Sequence, residues 1–122
     1  YELNKGVKKK LDCKKKTEKG KIYAVTHSNS PSSEVLKILE KNNTSNFTKM
    51  SSSYKFCVIA AGEADIYTCE ARAYEWDIAA GHAILEHSGA IITTLSGKKI
   101  LYGKIGYKNP PLLVKRSVNL KI

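Results

Sequence analysis

The residues able to do chemistry in this chain are scattered, and one short run stands out. Trp76-Asp77-Ile78-Ala79-Ala80-Gly81 places a carboxylate at the start of a helical pattern, followed by three small residues. A carboxylate there stays ionised because free backbone amides and the helix dipole favour the anion. Such a group can cap its own helix or offer a hard oxygen to a cation. Small residues beside it let a neighbouring backbone or a phosphate come close. Upstream, Ser52 and Lys55 offer a hydroxyl and an ammonium, donors suited to phosphate. Their structural alternatives are a helix-capping serine and a solvated lysine. His27 lies in a Thr-His-Ser loop and reads equally as a surface histidine. Cys13, Cys57 and Cys69 have no CxxC spacing and no metal-site pattern. An odd, sparse set fits a reducing compartment better than a disulfide framework, and Cys57 reads as a core residue.

The 122 residues suffice for one compact domain, 1–122. Apolar residues make up 42%, ordinary for a globular chain. No apolar run reaches the roughly 18 residues of a membrane span. The polar, lysine-rich beginning does not read as a signal peptide. A cytoplasmic location is therefore expected, with peripheral membrane association left open. The net charge is +10, and nine lysines fall within the first 21 residues. That bias suits either a solvated surface or attraction to an anion. No aromatics interleave with these lysines, which argues against a single-strand nucleic-acid surface.

Several elements must position these residues. Tyr1 to Gly20 suits loop or edge structure, short strands included. Ile22 to Val25 predicts a strand, and Pro31 a helix start capped by Ser30. Val35, Leu36, Ile38 and Leu39 form that helix's apolar face, and Asn42 and Asn43 end it. Phe47 to Met50 predicts a strand, Tyr54 to Ala61 a helix, and Ala64 to Thr68 a strand. Glu75 to Ser88 is the clearest helix, with Trp76, Ala80, Ala83, Ile84 and His87 on one face and Gly89 as its stop. Ala90 to Thr94 and Leu112 to Val114 predict the last strands, separated by a Ser96-Gly97 turn and an Asn109-Pro110-Pro111 break. Alternating strands and helices imply a layered α/β domain whose few strands leave sheet edges exposed.

The Trp76-to-Ile84 run, ending in Ser88-Gly89-Ala90, resembles a signature of the inositol monophosphatase superfamily. Ser52, Lys55, Phe56, Cys57, Gly62, Ala64, Asp65 and Tyr67 resemble its 3'(2'),5'-bisphosphate nucleotidase, CysQ-like branch. Gly97, Leu101, Tyr102, Asn109 and Pro110 fit the same branch. The resemblance implies a layered αβ sandwich of which this chain is the C-terminal half. The N-terminal half, with most metal ligands in an Asp-Pro-x-Asp-Gly-Thr run, is not in this sequence. It further implies hydrolysis of 3'-phosphoadenosine 5'-phosphate with Mg2+, Asp77 as a metal ligand, and His27, Ser52 and Lys55 as phosphate contacts. Gly81 would be part of the same site. An arginine of that branch is replaced by Cys69, and Arg72 is the candidate to compensate. One aspartate cannot organise a multi-metal centre, so the chain is expected to be inactive unless a separate N-terminal half or self-association completes it. The competing readings are a non-catalytic nucleotide- or partner-binding module, an inositol monophosphatase relative and a basic nucleic-acid binder.

Overall fold

The computed structural model describes residues 1–13, 22–44 and 46–117. Residues 14–21, where five of the N-terminal lysines fall, lie outside the described set. The chain opens with β1 (Glu2–Asn4) and β2 (Val7–Lys9), an antiparallel pair. Lys5 and Gly6 join them with φ of 48° and 79°. Positive φ at both positions is what a tight two-residue hairpin turn needs, and glycine adopts it freely. The short strands expected in this region are therefore present, paired with each other and not with the main sheet.

The main sheet contains β3 (Ala24–Thr26), β4 (Phe47–Lys49), β5 (Ile66–Cys69), β6 (Ile91–Thr94) and β7 (Leu112–Lys115). Their spatial order is β4-β3-β5-β7-β6. β3 runs parallel to both β4 and β5, while β7 lies antiparallel between β5 and β6. Parallel neighbours need crossovers, and helices supply them. α1 (Ser33–Lys41) joins β3 to β4, α2 (Tyr54–Ala60) joins β4 to β5, and α3 (Glu75–Ser88) follows β5.

Side chains alternate across each strand, and two cores result. On one face, Val25, Tyr67, Cys69, Ile92, Leu112 and Val114 meet Phe56, Val58 and Ile59 of α2 and Ile78 and Leu85 of α3. On the other, Ala24, Ile66 and Leu113 meet Val35, Ile38 and Leu39 of α1. The layered α/β sandwich expected from the sequence is the observed architecture, with β4 and β6 as its outer strands.

Three expectations are corrected, and the inward face of α3 is defined. α1 is capped by Ser32, whose Oγ accepts a hydrogen bond from the Val35 amide at 3.3 Å, so Pro31 precedes the cap. The helix has the hydroxyl it needs one turn before Val35, and Ser30 is not used. The inward face of α3 is Glu75, Ile78, Gly81, Leu85 and Ser88. Trp76, Ala80, Ala83, Ile84 and His87 share one face as expected, and it is turned to solvent. Cys57 is only half-buried, whereas Cys13 is fully buried. Gly81 does not make room for a ligand. A Cβ there would sit 2.5 Å from Phe56 Cδ2, so Gly81 is where α3 closes on α2.

Candidate functional site

The parallel strands β3 and β5 end in the same direction, and the N-termini of α2 and α3 gather near that end. A cleft of about 550 Å³ opens there, bordered by Ser52, Lys55, Tyr67, Arg72, Trp76 and Asp77. In open α/β sheets this carboxyl edge is where ligands bind.

Lys55 is the most informative residue in the cleft. It lies in the first turn of α2 and is only 5% exposed. Its Nζ donates to the Ser52 carbonyl at 2.8 Å and sits 5.1 Å from the centre of the Tyr67 ring. Burial lowers its pKa, and the positive charge of Arg72 lowers it further. Among the described residues no carboxylate pairs with it. A buried ammonium facing a second cation raises the affinity of the space between them for an anion. Tyr67, beneath it, is pushed well above the usual phenol range by its own burial.

Ser52 is held with φ at 61°, a conformation uncommon for a residue with a side chain. That twist points its carbonyl at Lys55. Its Oγ accepts a long 3.4 Å bond from the Tyr54 amide. Ser53, and not Ser52, stands at the cap position of α2. Asp77 is exposed and sits in the first turn of α3, where its Oδ2 accepts the Tyr74 amide at 2.8 Å. It therefore performs the capping role while bordering the cleft.

Arg72 acts on both Lys55 and His27, since its charge lowers the pKa of each. His27 follows β3 and does not line the cleft. Its Nε2 lies 3.7 Å from Glu70 Oε2, and its buried Nδ1 has no hydrogen-bond partner. Burial is the main cause of its lowered pKa, with Arg72 adding to it and Glu70 opposing it. The structure thus brings together Ser52, Lys55, Arg72 and Asp77. It sets His27 on the flank and Gly81 in the helix contact.

Magnesium requires near-octahedral oxygen coordination and usually more than one protein carboxylate. The cleft offers only Asp77. The neighbouring Glu75 is committed elsewhere, accepting the Gly103 and Lys104 amides at 3.0 Å each and pairing with Lys104 Nζ at 2.7 Å. The Lys104 contact is the main reason its pKa is held down at about 2. No group of three or more metal-ligating side chains occurs among the described residues. The residues of this chain do not by themselves fit a magnesium centre.

Tyr67 and Trp76 also border the cleft, and residue type alone gives neither of them that place. Trp76 lies outward beside Glu75, whose carboxylate meets Lys104, 29 residues on.

An α/β domain with a cleft at the carboxyl ends of its parallel strands belongs to the open-sheet class of ligand-binding folds. The chain is a member of the inositol monophosphatase family, whose profile matches residues 3–119. It is 38% identical over 98 residues to the 3'(2'),5'-bisphosphate nucleotidase CysQ of Buchnera aphidicola, covering 80% of this chain and 36% of that protein. It is 48% identical over 59 residues to an uncharacterized Rhizobium leguminosarum protein from the pss 5' region, covering 48% of this chain and 62% of that one. The solved structure of CysQ from Bacteroides thetaiotaomicron superposes with a TM-score of 0.68 at 30% identity, over 77% of this chain and 36% of that one. The chain therefore spans little more than a third of the CysQ proteins it resembles. No helix among the described residues is long and apolar enough to cross a membrane.

Proposed function

We propose that this chain is the phosphate-holding part of a magnesium-dependent 3'(2'),5'-bisphosphate nucleotidase acting on 3'-phosphoadenosine 5'-phosphate. The observation that carries the reading is Lys55, a buried ammonium with a second cation beside it and no carboxylate partner among the described residues. An entering phosphate supplies the missing negative charge through charge-assisted hydrogen bonds. In this reading Lys55 and Arg72 bind the phosphate retained on the product, Ser52 adds a hydroxyl, and His27 steers from the flank. Asp77 would offer one oxygen to magnesium, the remaining ligands being supplied from outside this chain. Arg72 then takes over from the arginine that Cys69 replaces.

The outer surface of α2 and α3 supports the need for further chain. Tyr1 (75% exposed), Tyr54 (59%) and Ile84 (37%) lie around one apolar groove with Leu11 and Cys57. An N-terminal half or a second copy of this chain would cover it.

The test is phosphate release from 3'-phosphoadenosine 5'-phosphate with magnesium. This chain is assayed alone and mixed with the N-terminal half of a CysQ relative. Turnover is expected only in the mixture, and Asp77→Asn should abolish it while the chain stays folded. Turnover by the chain alone overturns the division of labour. Silence in the mixture, with the chain folded, favours a binding module without catalysis.

A further inference from the structure

Beside the phosphate cleft stands a cluster of exposed aromatic rings. Trp76 is 67% exposed, Tyr107 53% and Tyr74 39%. The Tyr74 and Trp76 rings are parallel to within 1°, with centroids 4.8 Å apart. Tyr107 leans on Trp76 at 6.2 Å and 51°. The cluster is held from below. Tyr74 donates its amide to Asp77, the Glu75 amide donates to the Tyr107 carbonyl at 2.9 Å, and Tyr74 pairs with Lys108 in an isolated bridge. These anchors fix the backbone at both ends, so the rings are presented by a rigid turn. Trp76 also borders the same cleft as Lys55 and Arg72.

A contiguous cluster of exposed rings, unlike a single one, marks a surface that binds something. Here it lies next to a site that attracts phosphate. We infer that Trp76, backed by Tyr74 and flanked by Tyr107, is a stacking platform for the base of a nucleotide whose phosphate rests on Lys55 and Arg72. The inference rests on the phosphate reading of the cleft and adds a second contact, to the base. Stacking of a base on an aromatic side chain is sequence-tolerant and strengthens binding by about tenfold or more.

Trp76 is the only tryptophan in the chain, so its emission reports directly on the platform. The probes are adenosine 5'-phosphate, ribose 5-phosphate and inorganic phosphate, added to the chain without metal. Adenosine 5'-phosphate should quench Trp76 saturably and bind about tenfold more tightly than ribose 5-phosphate. Ribose 5-phosphate should bind by calorimetry with emission unchanged. Trp76→Ala should erase the tenfold preference and leave the affinity for ribose 5-phosphate within about twofold. Lys55→Met should weaken all three probes alike. Equal affinity for the two sugar phosphates, with no quenching, overturns the platform and leaves the phosphate site standing. Failure of every probe to bind overturns both.

Discussion

Two kinds of buried charge occur in this molecule, and they are treated differently. Asp65, 3% exposed, is satisfied within the chain. Its Oδ1 accepts from Arg116 Nε at 2.5 Å and its Oδ2 from the Tyr23 amide at 2.8 Å. Glu75 is similarly enclosed by Lys104 and two backbone amides. Lys55 is as deeply buried, yet it leans only on a carbonyl and a ring, with another cation nearby. Charges that hold the fold together carry their partners with them. A charge kept at a cleft without a carboxylate partner is what the proposed phosphate site requires.

The contrast is broken most forcefully at Asp65. Asp65→Ala takes the carboxylate from a nearly buried ion pair and leaves Arg116, among the described residues, only the Cys13 carbonyl. It should lower unfolding free energy by about 3–5 kcal/mol, measured by urea denaturation. A loss below about 1 kcal/mol would show that the pair is not structural.

Glu75 comes next and is read through pH. Its folded-state pKa, about 2, lies below its ordinary value of 4.5. The stability it contributes is therefore complete above pH 4.5 and drains away as pH falls toward 2. Melting temperature should decline across that window, and Glu75→Gln should remove much of the decline. A variant with the parent's slope would reassign the acid sensitivity to other carboxylates.

Gly81→Ala tests the wall beneath the cleft. The new methyl must displace the Phe56 ring, with overpacking of about 1–3 kcal/mol, offset in part by alanine's better helix propensity of about 1 kcal/mol. A net destabilisation that shrinks in a Phe56→Leu background is expected. Stabilisation would mean that α2 and α3 separate easily.

Lys55→Met should have the least effect on stability, neutral or slightly favourable, because it removes a buried charge without a carboxylate partner. The same change should abolish the rise in melting temperature that inorganic phosphate gives the parent chain. A large loss of stability without phosphate would place Lys55 with Asp65 and Glu75 as a structural charge.

Much of the scaffold was legible because its signals are local. The limits of α3 follow from Gly89, which ends the helix with φ at 93°. The strands β3, β4 and β7 follow from short β-prone runs between turn residues. What escaped depends on distant contacts. The face that α3 turns inward goes with contacts far along the chain, such as Glu75 with the 103–104 loop and Ile78 and Leu85 with the core, and no periodicity reports them. Ser30 and Ser32 flank Pro31, and residue type alone does not choose between them, whereas α1 uses Ser32. Within the site, residue types suggested Ser52, Lys55 and Asp77, which the fold brings to one cleft. The position of Arg72 depended on loop geometry, and Gly81 was misread because a small residue serves a ring as well as it serves a ligand.

The backbone at Ser52 has a consequence for how such a protein changes over generations. A residue with a Cβ in the left-handed region carries strain of roughly 1–2 kcal/mol, and here it aims a carbonyl at a lysine. Glycine at that position would relax the strain and raise heat tolerance while removing the hydroxyl. A lineage selected only for persistence would drift toward glycine there. Continued presence of serine in one selected for turnover would mark the strain as maintained.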